Sequence, residues 1–340
     1  MGHRRALSRA LLICAGGGIG DSLLASLCAR ALRGKFSRVD ALTLPGHRDT
    51  LEHVRDIDEV LVDDGETSSV IAERLRGRRY DAAVITWATR RTAEIPFLAR
   101  IPIRVGQARR LYSQLFTHRV VVRSERGDVM SHWSQILLDY PRAIGCDTAD
   151  PYPSFELTAE DRALADEVLL RNGITSPFGI VHPTCAATAK RPHWPLEGWK
   201  GLIAALQGRD SQAILITGAP ADVVIADSLA ASTGAVSLAG QTSIGTFAAI
   251  ARQSSFLVVM HSGPMHVAAA VGTPTVGIFP LQCDFPDRWR PIGSRVSVVR
   301  ASYRCRPRER IESCPDYACI ANLDIGRIVA ALDGVIPQAA

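Results

Sequence analysis

The sequence predicts an α/β protein built as two doubly wound domains that face a central cleft. Two observations carry the prediction. Short apolar runs alternate with amphipathic segments along both halves of the chain, which implies parallel sheets covered by helices. Three of these runs end in polar or glycine-rich elbows, of the kind that bind ligands at the carboxyl edge of an open sheet. At 340 residues the chain is long for one core, and two domains of roughly 150 residues are the natural division.

In the first half, residues 11–15 form an apolar strand that enters the turn Gly16-Gly17-Gly18-Ile19-Gly20-Asp21, and residues 22–33 have helical periodicity. Strands follow at 39–44, 59–62 and 82–86, with a helix at 67–76. Residues 101–126 are less regular, as an excursion near a sheet edge would be. The stretch Cys146-Asp147-Thr148-Ala149-Asp150-Pro151-Tyr152-Pro153 reads as a linker, dividing the chain into domains 1–150 and 151–340.

The second half repeats the pattern more cleanly. Thr158-Ala159-Glu160-Asp161 has helix-capping chemistry and opens a helix to about residue 171. Strands are expected at 179–182, 213–217, 256–260 and 275–279, and helices at 196–206, 221–231 and 244–252. A short Ala-rich helix follows His261-Ser262-Gly263-Pro264-Met265. A last amphipathic segment, 325–332, is expected to pack back across the domains.

The amino terminus, Met1-Gly2-His3-Arg4-Arg5 followed by an apolar run, imitates a signal peptide, but the run is too short and breaks into glycines. Ala6 stands where myristoylation wants Ser or Thr. No apolar run approaches the ~20 residues that cross a bilayer. A cytoplasmic protein is expected.

Residues 1–150 hold 23 Lys and Arg against 18 Asp and Glu, while residues 151–340 hold 16 of each, so the formal charge of +5 belongs to the first half. Arg74, Arg76, Arg78, Arg79, Arg104, Arg109 and Arg110 carry much of it. Such a half reads either as a solvated basic face or as the partner of an anionic acceptor or acidic membrane surface. Aromatics at 6%, without basic interleaving, argue against nucleic acid. Of the eight cysteines, Cys14, Cys28, Cys146 and Cys185 are isolated. Cys305, Cys314 and Cys319, with Cys283, lie closer together, but not at the spacings of a zinc ribbon or finger, so free thiols are favoured over a metal site.

The elbows hold the candidate chemistry. The first lacks G-x-G-x-x-G, since Asp21 occupies its last position, and lacks the G-K-[ST] of a P-loop. What remains is a carboxylate at a helix start, which reads equally as a simple cap and as a functional group in the crevice. The second, from His182 to Pro195, offers the Thr184 and Thr188 hydroxyls with Lys190 and Arg191, which suits a diphosphate or, alternatively, an exposed basic loop. The third sets His261 and Ser262 at a strand's carboxyl end and a helix's amino end, where unpaired amides and the helix dipole favour negative charge. Periodicity places His266 inside that helix as a core histidine.

Taken together, these segments resemble the glycosyltransferase 9 family, the bacterial heptosyltransferases of lipopolysaccharide core assembly. Gly18-Ile19-Gly20-Asp21-Ser22-Leu23-Leu24-Ala25 is similar to the family's first loop and helix. His182-Pro183-Thr184 through Lys190 to Trp194-Pro195 and Trp199 is similar to its lysine loop, and Gly240-Gln241-Thr242-Ser243-Ile244 to its G-x-T-S-[LI] turn. His261-Ser262-Gly263-Pro264-Met265-His266-Val267-Ala268-Ala269-Ala270 resembles its [DN]-[ST]-G-x-x-H-x-A-A-A elbow. Cys314-Pro315 to Cys319-Ile320 resembles a cysteine pair common near the end of such proteins.

The resemblance implies a GT-B fold of two Rossmann-like domains, with the acceptor site amino-terminal and the nucleotide-sugar site carboxyl-terminal. It implies inverting, metal-independent transfer of heptose from ADP-heptose to a hydroxyl of a lipopolysaccharide-core or other glycan acceptor. No cofactor beyond the nucleotide-sugar co-substrate is expected; an anionic glycan or glycolipid acceptor and peripheral contact with the inner membrane's cytoplasmic face are. Asp21 matches the general base, and Lys190 the cation that neutralises the departing diphosphate. Gly18 and Gly20 belong to the acceptor-side loop. Thr184, Cys185, Arg191, His261, Ser262, Gly263, Met265 and His266 match positions around the donor, and Thr242 a position near its base.

Two departures matter. His261 stands where the family usually has Asp or Asn, and an imidazole cannot accept sugar hydroxyls as a carboxylate does. The lysine of this loop lies farther from its tryptophan than usual, which leaves Arg191 as a rival for the phosphate contact. The alternatives are a transferase using a different nucleotide-sugar for capsule, glycan or small-molecule glycosylation, a sugar-nucleotide epimerase on a similar plan, and a non-catalytic nucleotide-sugar-binding module.

Overall fold

A computed structural model describes residues 8–175, 177–184, 194–210, 212–280, 286–302 and 317–336. The chain divides into two compact units, Met1–Glu156 and Leu157–Ala340.

The first unit runs β1 (Arg9–Ile13), α1 (Ile19–Arg33), β2 (Arg38–Thr43), α2 (Arg48–Glu52), β3 (Glu59–Val62), α3 (Ser68–Arg76), β4 (Ala82–Ile85), α4 (Arg90–Leu98), β5 (Ile103–Gln107), β6 (His118–Val120) and α5 (Trp133–Arg142). Its six strands lie in the order β3-β2-β1-β4-β5-β6. All pairs are parallel, with Leu11 opposite Asp40 on one side and Ala83 on the other. Because helices cover a parallel sheet on both faces, its central strands read as unbroken apolar runs, and β4 is buried throughout. The run that imitates a leader peptide is β1, at the centre of this sheet.

The stretch read as a linker belongs to the first unit. Arg30 binds Asp150 at 2.5 Å and the Tyr152 carbonyl at 2.6 Å, and the Glu156 amide donates to the carbonyl of His53. Phe155 stacks on the His53 ring at 4.5 Å. These contacts tie the prolines to the first core, so the division comes after them. The irregular region near 101–126 contains β5 and the edge strand β6.

The second unit runs α6 (Ala159–Arg171), β7 (Phe178–His182), α7 (Leu196–Asp210), β8 (Ala213–Ile216), α8 (Val223–Thr233), β9 (Val236–Ser237), α9 (Ile244–Gln253), β10 (Leu257–Met260), α10 (Gly263–Ala270), β11 (Thr275–Phe279), α11 (Pro286–Trp289), β12 (Val296–Arg300), α12 (Ala318–Ala321) and α13 (Ile325–Asp333). Its strand order is β12-β11-β10-β7-β8-β9, again all parallel. In the last helix, Ile328 and Leu332 of α13 are buried in the second core with Trp199, Leu202 and Ile278. Its apolar face is thus covered in part within the second unit.

Most of the basic clusters expected on the first half are engaged within it. Arg78 pairs with Glu59 at 2.6 Å, Arg74 with Glu66 at 3.1 Å and Arg110 with Glu125 at 2.6 Å, while Arg76 binds Glu73 and the Leu98 carbonyl. Arg104 turns back onto the carbonyls of Leu115 and Ile101. Half-exposed pairs of this kind add little stability, but they remove charge from any anion-binding face. Arg79 and Arg109 are exposed and have no acidic partner among the described residues.

Candidate active site

In each sheet the strand order reverses once beside the first strand, and ligands of open α/β folds bind at that reversal, beyond the strands' carboxyl ends. The first reversal lies between β1 and β4, and the second between β7 and β10. The predicted elbows carrying Asp21, Thr184 and Ser262 fall at these two points.

At the first, β1 ends at Ile13 and the chain turns through Gly16 to Gly18. Gly17 has φ +73°, and a Cβ there would lie 2.5 Å from Asp21 Oδ2. Only glycine therefore permits both the left-handed turn and the close approach of the carboxylate. The helix begins earlier than its periodicity suggested: Gly18 is the N-cap of α1 and Asp21 the third residue of its first turn. Asp21 Oδ2 accepts the Gly18 amide at 2.8 Å. The bland role, closing the helix start, is thus filled by one oxygen. The other, Oδ1, is buried and has no hydrogen-bond partner among the described residues.

Burial raises the Asp21 carboxyl above the ordinary carboxylate range; the Gly18 amide, the His47 ring and the Trp133 indole pull the other way without cancelling it. His47, placed by the turn before α2, shares a 3.1 Å hydrogen bond between its Nδ1 and Ser22 Oγ. Its own pKa is lowered by burial, with Asp21 opposing. Spacing along the chain gave no signal for His47 or Trp133, which the β2–α2 and α5 connections deliver to the same place. Gly18 is exposed, whereas Gly20 is buried in the first turn of α1.

At the second reversal, His182 is the last residue of β7 and pairs with Val259 of β10. Its Nδ1 lies 3.0 Å from Thr217 Oγ1, and burial pushes its pKa down to about 4, so the ring is neutral. Thr184 follows, buried, with Oγ1 lacking a partner among the described residues. Across from it, Ser262 is the N-cap of α10, with φ −142° and ψ 170°, yet its hydroxyl makes no cap bond. A serine here ordinarily accepts an amide from the first turn. Ser262 Oγ is instead buried without a partner among the described residues. Buried hydroxyls left unpaired cost on the order of 1–3 kcal/mol each, a cost that a ligand at this crevice would relieve.

The neighbouring residues divide. His261 stacks on Phe279 of β11, with ring centroids 5.3 Å apart and planes 27° from parallel. Gly263 opens α10, and His266 is buried within that helix. Met265 turns inward: a Cβ on Gly277 would lie 2.5 Å from its sulfur, and its amide donates to the Ser262 carbonyl at 3.1 Å. Thr242 is half-buried in the turn after β9, beside Ser243, which caps α9 by accepting the Thr246 amide. Cys185, Lys190 and Arg191 lie outside the described residues. Trp194 meets Trp199 edge to face at 4.9 Å.

No group of three or more His, Cys, Asp or Glu able to hold a metal ion occurs among the described residues. Cys319 is buried in the second core, while Cys283, Cys305 and Cys314 lie outside the described residues. Among those residues no helix is long and apolar enough to cross a membrane.

Two parallel six-stranded units, each with a polar crevice at its strand reversal, make up the GT-B fold. The crystal structure of the glycosyl transferase family 9 from Veillonella parvula is similar over 97% of this chain and 97% of its own, with a TM-score of 0.85 at 18% identity. The Escherichia coli heptosyltransferase WaaC with ADP-2-deoxy-2-fluoro heptose is similar over 96% and 99%, with a TM-score of 0.68 at 16% identity. In sequence, lipopolysaccharide heptosyltransferase 2 is 24% identical in Escherichia coli K12 and 23% in Salmonella typhimurium, over 83% of this chain and 85% of each relative. The family described as glycosyltransferase family 9 (heptosyltransferase) matches residues 69–317. The chain belongs to that family and is a heptosyltransferase-like glycosyltransferase.

Proposed function

We propose that the protein is an inverting, metal-independent heptosyltransferase that moves heptose from ADP-heptose to a hydroxyl of a lipopolysaccharide-core glycan. The observation that carries this reading is Asp21, anchored through one oxygen while the other is buried and unpaired at the strand reversal of the first unit. The acceptor oxygen attacks the anomeric carbon opposite the diphosphate. The bond from that carbon to the diphosphate oxygen breaks, ADP leaves with the electron pair, and Asp21 Oδ1 takes the hydroxyl proton. A carboxyl raised by desolvation is a better base than an ordinary one, which helps at neutral pH.

The second unit holds the donor in this reading. Thr184, Ser262 and Gly263 face the diphosphate and sugar, and His266 supports their turn. Thr242, two strands beyond β7, lies about 10 Å across the sheet at ~4.8 Å per strand, which is the reach from a diphosphate to its base. Lys190, with Cys185 and Arg191 beside it, supplies the positive charge at the leaving diphosphate that a divalent metal supplies elsewhere. The solved relative that holds an ADP-sugar supports an adenosine donor. The first unit, with Gly18 at its loop, takes the acceptor; its surplus of positive charge suits an anionic glycolipid at the cytoplasmic face of the inner membrane.

His261 favours a second reading, a different nucleotide-sugar. Its ring is engaged with Phe279 and offers a sugar no carboxylate. The test is incubation with ADP-heptose and inner-core lipopolysaccharide freed of its fatty acids. ADP release, a glycan heavier by one heptose and an inverted anomeric signal by NMR are expected. Turnover of only another nucleotide-sugar would establish the second reading, and binding of ADP-heptose without turnover a non-catalytic module.

A further inference from the structure

Trp87 is a large aromatic side chain at the first strand reversal that neither the base nor the helix start requires. It follows β4 and is 41% exposed. Its pyrrole ring rests on the backbone of Gly16, where a Cβ would overlap the ring and lie 2.8 Å from Nε1. At the next residue, Gly17, a Cβ would lie 2.5 Å from Asp21 Oδ2. Successive Cα atoms are about 3.8 Å apart, so indole and carboxylate press on adjacent residues of one loop and stand within roughly 10 Å of each other.

The backbone that carries the indole is also held. The Trp87 carbonyl accepts Thr92 Oγ1 at 3.2 Å, and the carbonyl of Ala88 accepts the Tyr112 hydroxyl at 2.6 Å. Thr89 then caps α4. A half-exposed indole lying on the Gly16 backbone, on the same loop as a buried carboxylate oxygen, suits a ligand with an apolar face and a polar rim. A sugar ring is such a ligand: its axial C–H hydrogens carry partial positive charge toward the negative face of the indole, while its hydroxyls point outward.

We propose that Trp87 is the platform on which the acceptor sugar stacks, setting one of its hydroxyls before Asp21 Oδ1. The proposal rests on the glycosyl-transfer reading of this crevice and adds the residue that selects the acceptor. It also explains Gly16, whose place in the turn needs no left-handed backbone but does need an absent side chain.

The test uses the full chain on a printed array of inner-core lipopolysaccharide oligosaccharides, followed by kinetics with whichever glycan is captured. Trp87→Ala should raise the acceptor KM about tenfold, or roughly 1.4 kcal/mol, with kcat within about twofold and ADP affinity unchanged by calorimetry. Trp87→Phe keeps a stacking face and should recover most of the loss. Gly16→Ala pushes the ring aside without removing it and should raise the acceptor KM as well. An unchanged acceptor KM in Trp87→Ala, or an equal loss of ADP affinity, would overturn the proposal. A wild-type chain that binds ADP-heptose but captures no glycan would contradict both this proposal and the acceptor class proposed above. Capture and transfer that persist undiminished in Trp87→Ala would contradict the platform alone.

Discussion

The two strand reversals share a topology and differ in chemistry. The first presents an ionisable group: Asp21, with one oxygen spent on the Gly18 amide and the other buried and unpaired. The second presents neutral groups: the Ser262 and Thr184 hydroxyls and a His182 whose pKa burial pushes down to about 4. A carboxylate would repel a diphosphate, and neutral hydroxyls would not take a proton. In the proposed reading the fold is used twice, once for proton transfer and once for holding an anion, and the described side chains distinguish the two.

Substitutions at each reversal test that contrast. The largest effect is expected at the first: Asp21→Ala should lower transfer on the order of 10²–10⁴-fold, the usual worth of a general base, while leaving ADP affinity nearly unchanged. Near-wild-type turnover in the purified variant would end the assignment. On the donor side of the proposed reading, Lys190→Ala should weaken ADP binding by about 1.5–3 kcal/mol through loss of a charge-assisted contact. Unchanged calorimetric affinity would move that role to Arg191.

A smaller effect separates ligand contacts from packing. Thr184→Val removes a hydroxyl that is unpaired among the described residues, so the melting temperature of the free protein should hold or rise while ADP affinity falls by about 1 kcal/mol. A lowered melting temperature would mean that the hydroxyl serves the fold instead. The smallest effect concerns pH. The His47 ring holds the Asp21 pKa down against burial, so His47→Ala should move the acid limb of kcat/KM upward. An unmoved or downward-shifted limb would remove His47 from the site.

Much of this was legible in the sequence because both sheets are parallel and buried, so their central strands read as apolar runs ending at elbows. β1, β10 and β11 are of this kind. α4 and α5 were not legible: each carries an internal proline, Pro96 and Pro141, that reads as a helix breaker. β12 was missed because its edge position leaves most of its residues only half-buried. At the site, Asp21, Thr184 and Ser262 were legible because each ends or follows a recognisable strand. His47, Trp133 and Trp87 were not, since sheet order rather than chain spacing brings their elements to the same crevice. Met265 was legible from its place in the elbow motif, whereas the inward turn of its side chain follows from helical phase.

The division of labour is tested most directly by Asp21→Asn, which can keep the bond to the Gly18 amide and loses only the ionisable oxygen. Because burial raises the Asp21 pKa, its ionised form costs stability as pH rises from the ordinary carboxylate value through the raised one. The variant should therefore be at least as stable as the wild type at neutral pH. Calorimetric titration with ADP, paired with single-turnover transfer from ADP-heptose, should show wild-type affinity and a rate reduced by at least about 10²-fold. Transfer at the wild-type rate, or ADP affinity lost in step with it, would contradict the account.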